Sequence, residues 1–232
     1  MLLNATTVAV SQGRNEAQVT FMRDRQLQTV AGKAVIMAAP KFITSRIVEG
    51  LPDKQREAMQ LIRYAPYPVV NVIFDKPVFN KGYDTWCPGN SFIDFIVADW
   101  TIRNRPGYQQ KYNILTFYTP LREEQRGELL TEANARKVAE GVLRDFQKLY
   151  PGSDTVPVEV QIYRRGHPMY MVTPGNFTKV LPLVRRPMER VFFANTDSEG
   201  PVSTTSTGIT AARRAVREAQ NALAGRAAAS AS

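Results

Sequence analysis

Two short apolar runs stand far apart in the sequence: Ala34-Val35-Ile36-Met37-Ala38-Ala39, ended by Pro40, and Val191-Phe192-Phe193-Ala194. Neither alternates apolar with polar residues. A strand with one face in water alternates, because successive side chains point to opposite faces. A run that is apolar at every position suits a strand covered on both faces, as in a parallel sheet. The two runs are therefore expected in one sheet, although most of the chain lies between them. With 232 residues, of which 44% are hydrophobic and 22% charged, the chain has room for one large domain or two small ones, and it is not a largely disordered polypeptide.

The remaining elements follow from pattern. Thr7 to Val10, then the alternating Ala17-Gln18-Val19-Thr20-Phe21, read as strands around a polar turn, and 26–30 is a candidate partner. Leu51-Pro52-Asp53 opens a helix through about Arg63. Strands are expected at 69–74, 92–98, 114–118 and 158–163. The clearest helix carries Ala135, Val138, Val142, Phe146 and Leu149 at three- and four-residue spacing, with Thr131 as N-cap and Pro151-Gly152 as its stop. A last helix is expected from about Thr204 to Leu223, with Gly208, Ala211 and Ala212 packed closely against a neighbouring element. A low-complexity, disordered tail is expected at 224–232.

Several chemistries are excluded. One cysteine, Cys87, and one histidine, His167, rule out an intrachain disulfide, a Cys-cluster metal site and a His-rich one; no metal is expected. Cys87 has no basic neighbour to activate it and reads as an inert thiol. His167 reads as a structural histidine, with a ligand-lining role as the alternative. No two of the 14 glycines are two residues apart, so there is no G-x-G-x-x-G and no P-loop to bring a helix N-terminus onto a pyrophosphate. The net charge of +9 is spread over scattered arginines without interleaved aromatics, which favours a solvated basic surface over nucleic-acid binding. No apolar run approaches the ~20 residues of a membrane span, and Met1-Leu2-Leu3-Asn4 does not open a secretory signal. A cytoplasmic location is expected.

The densest local signal is strand, loop and helix at 190–217. A helix that opens with Ser203, Thr204, Thr205, Ser206 and Thr207 exposes backbone N–H donors at its positive end. By spacing alone this is either a site for an anion or electron-rich carbonyl, or a well-capped surface helix.

Four stretches in order resemble the C-terminal half of the flavin-containing amine oxidase, protoporphyrinogen oxidase and phytoene desaturase superfamily. Leu3 to Val8 with the hairpin through Val19 resembles its adenine-contacting strands. Ala34 to Pro40 resembles its "V-I-x-A-x-P" strand. Val69 to Phe79 resembles the first strand of its substrate domain. Phe192-Phe193-Ala194-Asn195 through Gly208-Ile209-Thr210-Ala211-Ala212 resembles its closing "F-A-G-(D/E) … G-A-x-x-S-G-x-x-A-A" motif. The segment Tyr163-Arg164-Arg165-Gly166-His167-Pro168-Met169 with Thr173-Pro174-Gly175 resembles its "R-W-x-x-x-x-P … P-G".

The resemblance implies an α+β chain: the distal part of an FAD-binding α/β domain (1–65), an antiparallel-sheet substrate domain with a flanking helix (66–185), and the closing strand and helix of the FAD domain (186–223). It implies FAD, bound non-covalently and shared with an N-terminal half or partner chain that supplies the glycine-rich fold. Val8 would contact adenine, Ala39 and Pro40 would lie along the cofactor, Thr196 or Asp197 would stand at the ribityl–phosphate position, and Thr204 and Thr205 would face the flavin pyrimidine ring. His167 and Tyr170 would line the side of a small-molecule substrate; no catalytic residue is assigned. The sequence departs from the pattern at Asn195, which replaces the glycine after F-A, at Thr196, where the acid is moved one place on to Asp197, at Ser203-Thr204 in place of G-A, and at Val69 in place of a lysine. The implied function is part of an FAD-dependent oxidoreductase not competent alone; the alternative is a non-catalytic accessory subunit of the same fold that binds a protein partner. A face apolar and open toward the missing half is expected at Val8, 34–40 and 191–194.

Overall fold

The computed structural model describes residues 1–153 and 155–230, with side chains described to residue 225. The chain divides into two units: Met1–Arg63 with Tyr170–Ser232, and Tyr64–Met169.

The first unit opens with an antiparallel sheet of β1 (Thr6–Gln12), β2 (Ala17–Arg23) and β3 (Gln26–Gly32). Its inner face is set by opposite residues: Val10 faces Val19, which faces Val30, and Phe21 and Ala17 are buried beside them. β3 is exposed along its whole length, with Leu27 65% and Val30 47% accessible. After β4 (Val35–Met37) come α1 (Lys41–Ile47) and α2 (Asp53–Gln60), each entered from a proline, Pro40 and Pro52, whose fixed φ suits the approach to a helix.

β4 pairs in parallel with β12 (Val191–Phe193), register Val191 to Val35, Phe192 to Ile36 and Phe193 to Met37. The two apolar runs thus share one sheet, as their composition predicts. Backbone bonds continue the ladder at both ends, from Val35 N–H to Arg190 O and from Ala194 N–H to Met37 O, each 2.8 Å. Coverage of the pair is unequal. Val191, Phe192, Phe193 and Ala194 are at most 4% exposed, so this strand does not belong to the open apolar face expected of it, whereas Ile36 is 39% and Val8 40% exposed. α5 (Thr205–Ser230) explains the difference: Ala215 and Ala219 pack on Phe192 and Ala194. The buried stripe of α5 is Ala211, Ala215 and Ala219, at four-residue spacing. Ala212, expected in that packing, faces out, and a Cβ at Gly208 would meet only Thr196 Cγ2, at an ordinary 3.6 Å. The stretch expected as a disordered tail continues α5 as far as Ser230, and 231–232 lie outside the described residues.

Two short strands, β5 (Arg63–Ala65) and β11 (Met169–Met171), lie where the chain passes between units, and α4 (Leu181–Val184) precedes β12 in the first. The second unit is an antiparallel sheet in the order β10 (Glu159–Tyr163), β6 (Val69–Phe74), β9 (Asn113–Tyr118), β8 (Asp94–Val97) and β7 (Asp84–Trp86). Alternation decides its faces: Val70, Val72, Phe74, Phe95, Val97, Leu115 and Phe117 are buried, and α3 (Glu132–Leu149) packs Ala139, Val142 and Phe146 among them. Edge-to-face rings tie helix to sheet, Phe95–Phe146 at 5.5 Å and Phe117–Phe146 at 5.4 Å. Thr131 caps α3 by accepting the Asn134 N–H at 3.3 Å. Cys87 is buried in this core, and burial pushes its thiol above the ordinary value, as an inert residue requires. Among the described residues no helix is long and apolar enough to cross a membrane.

On α3, Asp145 Oδ2 accepts the Ser91 N–H at 2.9 Å, and chiefly this bond holds its carboxyl below the ordinary range, against the opposing effect of burial. A depressed folded value contributes stability above the unfolded pKa that is lost as pH falls through the folded one. Asp145→Asn should cost about 1 kcal/mol at neutral pH. The gap to the parent should close as pH drops below about 4. Urea melts at several pH values check this; a gap that persists unchanged into strong acid would contradict it.

Candidate functional site

Immediately after β12 the chain turns at Asn195, with φ 89° and ψ 154°. This region is closed to side-chain-bearing residues by their own Cβ and is occupied essentially by glycine. Asn195 therefore holds a backbone conformation that glycine adopts far more readily. Its side chain compensates in part: Oδ1 accepts the Thr196 N–H at 2.6 Å and the Thr196 hydroxyl at 3.2 Å. The turn continues as a short 3-10 stretch, Thr196–Ser198, and the Ser198 hydroxyl donates back to Ala194 O at 3.0 Å.

Beneath this turn lies Lys41, with a side chain 0% exposed. Its Nζ donates to Asp197 Oδ1 at 2.8 Å and to Ala194 O at 2.7 Å, and its backbone N–H donates to Asp197 Oδ2 at 2.9 Å. Asp197, 1% exposed, thus turns inward with both oxygens on Lys41. Burial pushes the ammonium below its ordinary pKa, and Asp197 pulls it partly back. Above them Arg214 of α5 donates to Phe193 O at 2.9 Å and to Glu199 at 2.6 Å.

The loop then reaches α5. Gly200 lies against its first turn so closely that a Cβ there would meet Thr207 Cγ2 at 2.9 Å. Thr204 Oγ1 accepts the Thr207 N–H at 3.3 Å, and Thr204 O accepts that of Gly208 at 3.0 Å. Thr204 and Thr205 are exposed, so the positive end of a long helix faces outward. Tyr170, whose N–H donates to Ser203 Oγ at 3.3 Å, is only 6% exposed, yet its hydroxyl has no hydrogen-bond partner among the described residues. Burial first, then Asp197, pushes that hydroxyl up to about 12, so it stays a proton donor.

Within the first unit the structure brings together Pro40 (through its neighbour Lys41), Thr196 and Asp197. Ala39 and Pro40 are half-buried, and both carbonyls accept from the Thr44 hydroxyl at 3.1 Å. Val8 stands at the irregularity of β1. His167 belongs to the second unit, where it is exposed and meets the Tyr64 ring edge-on at 6.3 Å; burial and Arg126 lower its pKa.

Lys41 is the residue that sequence reasoning missed. A lysine after a proline at the start of a helix reads as a surface charge, and only the fold reveals its partner. The outer face of the second unit's sheet was missed too. Asp94 pairs in register with Tyr118, which pairs with Val69, and the Tyr67 and Tyr118 rings lie 5.9 Å apart. Asp94 Oδ1 is buried without a hydrogen-bond partner among the described residues, and burial and Asp84 hold that carboxyl above its ordinary range. Period-2 alternation could have marked the face but not its chemistry. Among the described residues no group of three or more His, Cys, Asp or Glu side chains is placed to hold a metal ion.

The sequence model of the family described as flavin containing amine oxidoreductase matches residues 1–220, and the chain belongs to that family. Oxidoreductase PigB of Serratia sp. (strain ATCC 39006) is 24% identical over 210 residues, spanning 83% of this chain and 30% of that protein. A single-substitution variant of putrescine oxidase aligns with a TM-score of 0.72 and 18% identity over 95% of this chain and 48% of its own. Cyclohexylamine oxidase from Brevibacterium oxydans IH-35A aligns with a TM-score of 0.72 and 13% identity, over 94% and 48%. At such identities the likeness shows the fold, a mixed helix-and-sheet architecture of the amine oxidase kind. The chain spans about half the length of these solved structures.

The cofactor this family implies is a flavin. The residues present fit one: a buried donor at Tyr170 without a partner among the described residues, an outward-facing helix N-terminus at Thr204 and Thr205, and a turn in a glycine-type conformation at Asn195. The turn is directly testable. Asn195→Gly should leave stability equal or improved, since relief of backbone strain offsets the lost side-chain bonds, whereas Asn195→Ala keeps the strain, loses the bonds and should cost about 1–2 kcal/mol. Thermal melts of the three proteins give the order, and an alanine variant as stable as the glycine one would contradict it.

Proposed function

We propose that the chain supplies the substrate-domain and flavin-closing portion of an FAD-dependent oxidoreductase, with 1–65 and 186–223 as its part of the FAD domain and 66–185 as its substrate domain. The observation that carries this reading is the Asn195 turn: it follows a strand paired in parallel with 35–37, and it keeps a glycine conformation in a residue that tolerates it poorly. Cofactor contacts fall to Val8, Ala39, Pro40, Thr196, Thr204 and Thr205, with Asp197 acting through Lys41. Bound flavin would supply the hydride acceptor. The outward N–H groups at the start of α5 favour negative charge placed against them, which is what a reduced flavin ring presents. Of the residues expected to line a substrate, Tyr170 belongs to the first unit, and His167 belongs to the second, as does the Asp94, Tyr67 and Tyr118 face.

The FAD is held non-covalently and shared with a glycine-rich dinucleotide-binding half. Two facts support the sharing: this sequence has no G-x-G-x-x-G, and the matched solved structures are about twice as long as the chain. Most pyrophosphate contacts in such folds come from a glycine turn and the helix behind it. The exposed apolar residues Val8, Ile36, Leu27 and Val30 suit coverage by that half.

FAD titration of the purified chain, followed by flavin absorbance and fluorescence, tests this. The chain alone should bind only weakly, and flavin should be retained when a polypeptide bearing the glycine-rich fold is added. Sub-micromolar binding by the chain alone would overturn the sharing. A stable two-chain complex that forms without flavin would instead support the accessory, non-catalytic role.

A further inference from the structure

We propose that Lys41 is a positioning residue for the cofactor-facing turn, and that Lys41, Asn195 and Asp197 form one linked device. The proposal rests on the flavin reading of the first unit.

The argument begins with geometry. Asn195 occupies a backbone region that its own Cβ disfavours, so something outside the residue must hold the turn. The carbonyl just before Asn195, Ala194 O, accepts from Lys41 Nζ at 2.7 Å. The carboxylate two residues after it, Asp197, accepts from the same Nζ at 2.8 Å and from the Lys41 backbone N–H at 2.9 Å. One residue therefore clamps both sides of the strained position. Ala194 is itself fixed to Met37 O, and Lys41 follows β4 by four residues, so the clamp closes a short circuit between the two strands of the parallel pair.

Chemistry narrows what the clamp can be. A fully buried ammonium is strongly disfavoured unless every donor finds an acceptor in good geometry. Lys41 Nζ donates to a carboxylate and a backbone carbonyl, both of which belong to the turn. A buried ion pair is weak as a source of stability, since apolar residues of like volume often serve as well. Its directional bonds, by contrast, leave the turn one arrangement. With Asp197 turned inward, the residue left to meet a bound group is Thr196, whose N–H and hydroxyl are oriented by Asn195 Oδ1. The three residues thus answer one another: the asparagine strains the turn, the acid is withdrawn from the surface, and the lysine holds both.

The test compares the parent chain with Lys41→Met, Asp197→Asn and the double variant Lys41→Met/Asp197→Leu. Thermal melting reports global stability, hydrogen–deuterium exchange reports the peptides covering 193–200 and, as control, 113–118, and the FAD titration described above reports the cofactor response. In the two single variants exchange over 193–200 should rise about tenfold or more while the control peptide is unchanged. In the double variant the apolar pair should restore melting close to the parent value, yet fast exchange over 193–200 should persist and the flavin response should stay weaker than the parent's. A double variant with parent-like exchange over 193–200 would show that the pair only fills space and would overturn the proposal. If Lys41→Met does not fold, Asp197→Asn and the double variant decide the matter. Failure of the parent to bind flavin, alone or with the glycine-rich half, would remove the flavin reading, and the exchange arm would still report whether Lys41 sets the turn.

Discussion

The parallel pairing of Val35–Met37 with Val191–Phe193 closes the first unit, and every feature of the candidate site is referred to it. Only three residues on each strand pair, yet they join segments separated by most of the chain. Such a contact must offset the loop entropy of everything between. It does so with help from both flanks. On one side Arg190, 8% exposed, spreads its guanidinium over Arg14 O and Lys33 O, which ties the N-terminal hairpin to the closing strand. On the other, Ala215 and Ala219 let α5 sit close on Phe192 and Ala194.

A common device recurs around this pair. Arg190, Lys41 and Arg214 each place a cation in or near the interior, and each donates to at least one backbone carbonyl. Carbonyls are fixed by the chain path, so a charged donor aimed at them specifies where that path must run. The strand ends, the turn and the helix start are thereby held in register by directional bonds where apolar packing alone would tolerate sliding.

The second unit follows a different logic. Its core is aromatic: Phe92 meets Phe117, and Phe95 and Phe117 meet Phe146 of α3, edge-to-face. Most polar chemistry collects on the opposite sheet face, where Thr116 donates to Asn71 at 2.8 Å, although buried Asn113, on the side of Leu115 and Phe117, accepts the Val78 and Phe79 N–H groups. The separation follows from period-2 alternation, which sends one set of side chains to the helix and the other to the far face.

Much of this was legible in the sequence. Alternation and apolar runs predicted the strands at 17–21, 69–74, 114–118 and 191–194, and the partnership of the two covered runs; Thr131 and the spacing from Ala135 to Leu149 predicted α3. These signals are local, or depend on burial that a strand carries in its own composition. The helix expected from 51 to about 63 opens as expected at Pro52-Asp53 but stops at Gln60, because Arg63 already begins β5, and the short helix after Pro40 was not foreseen. Ala212 was misplaced because a helix rich in alanine does not show which stripe is buried; the position of β12 selects Ala211, Ala215 and Ala219. The inward turn of Asp197 and the buried charge of Lys41 could not be read at all. Their meaning lies in a contact across 156 positions of sequence, and only the closed sheet brings the two groups to 2.8 Å. The sequence by itself determined which segments become strands and helices, since periodicity and composition act over a few residues. The tertiary structure alone decided which charged groups face inward, because burial and pairing exist only once distant segments meet.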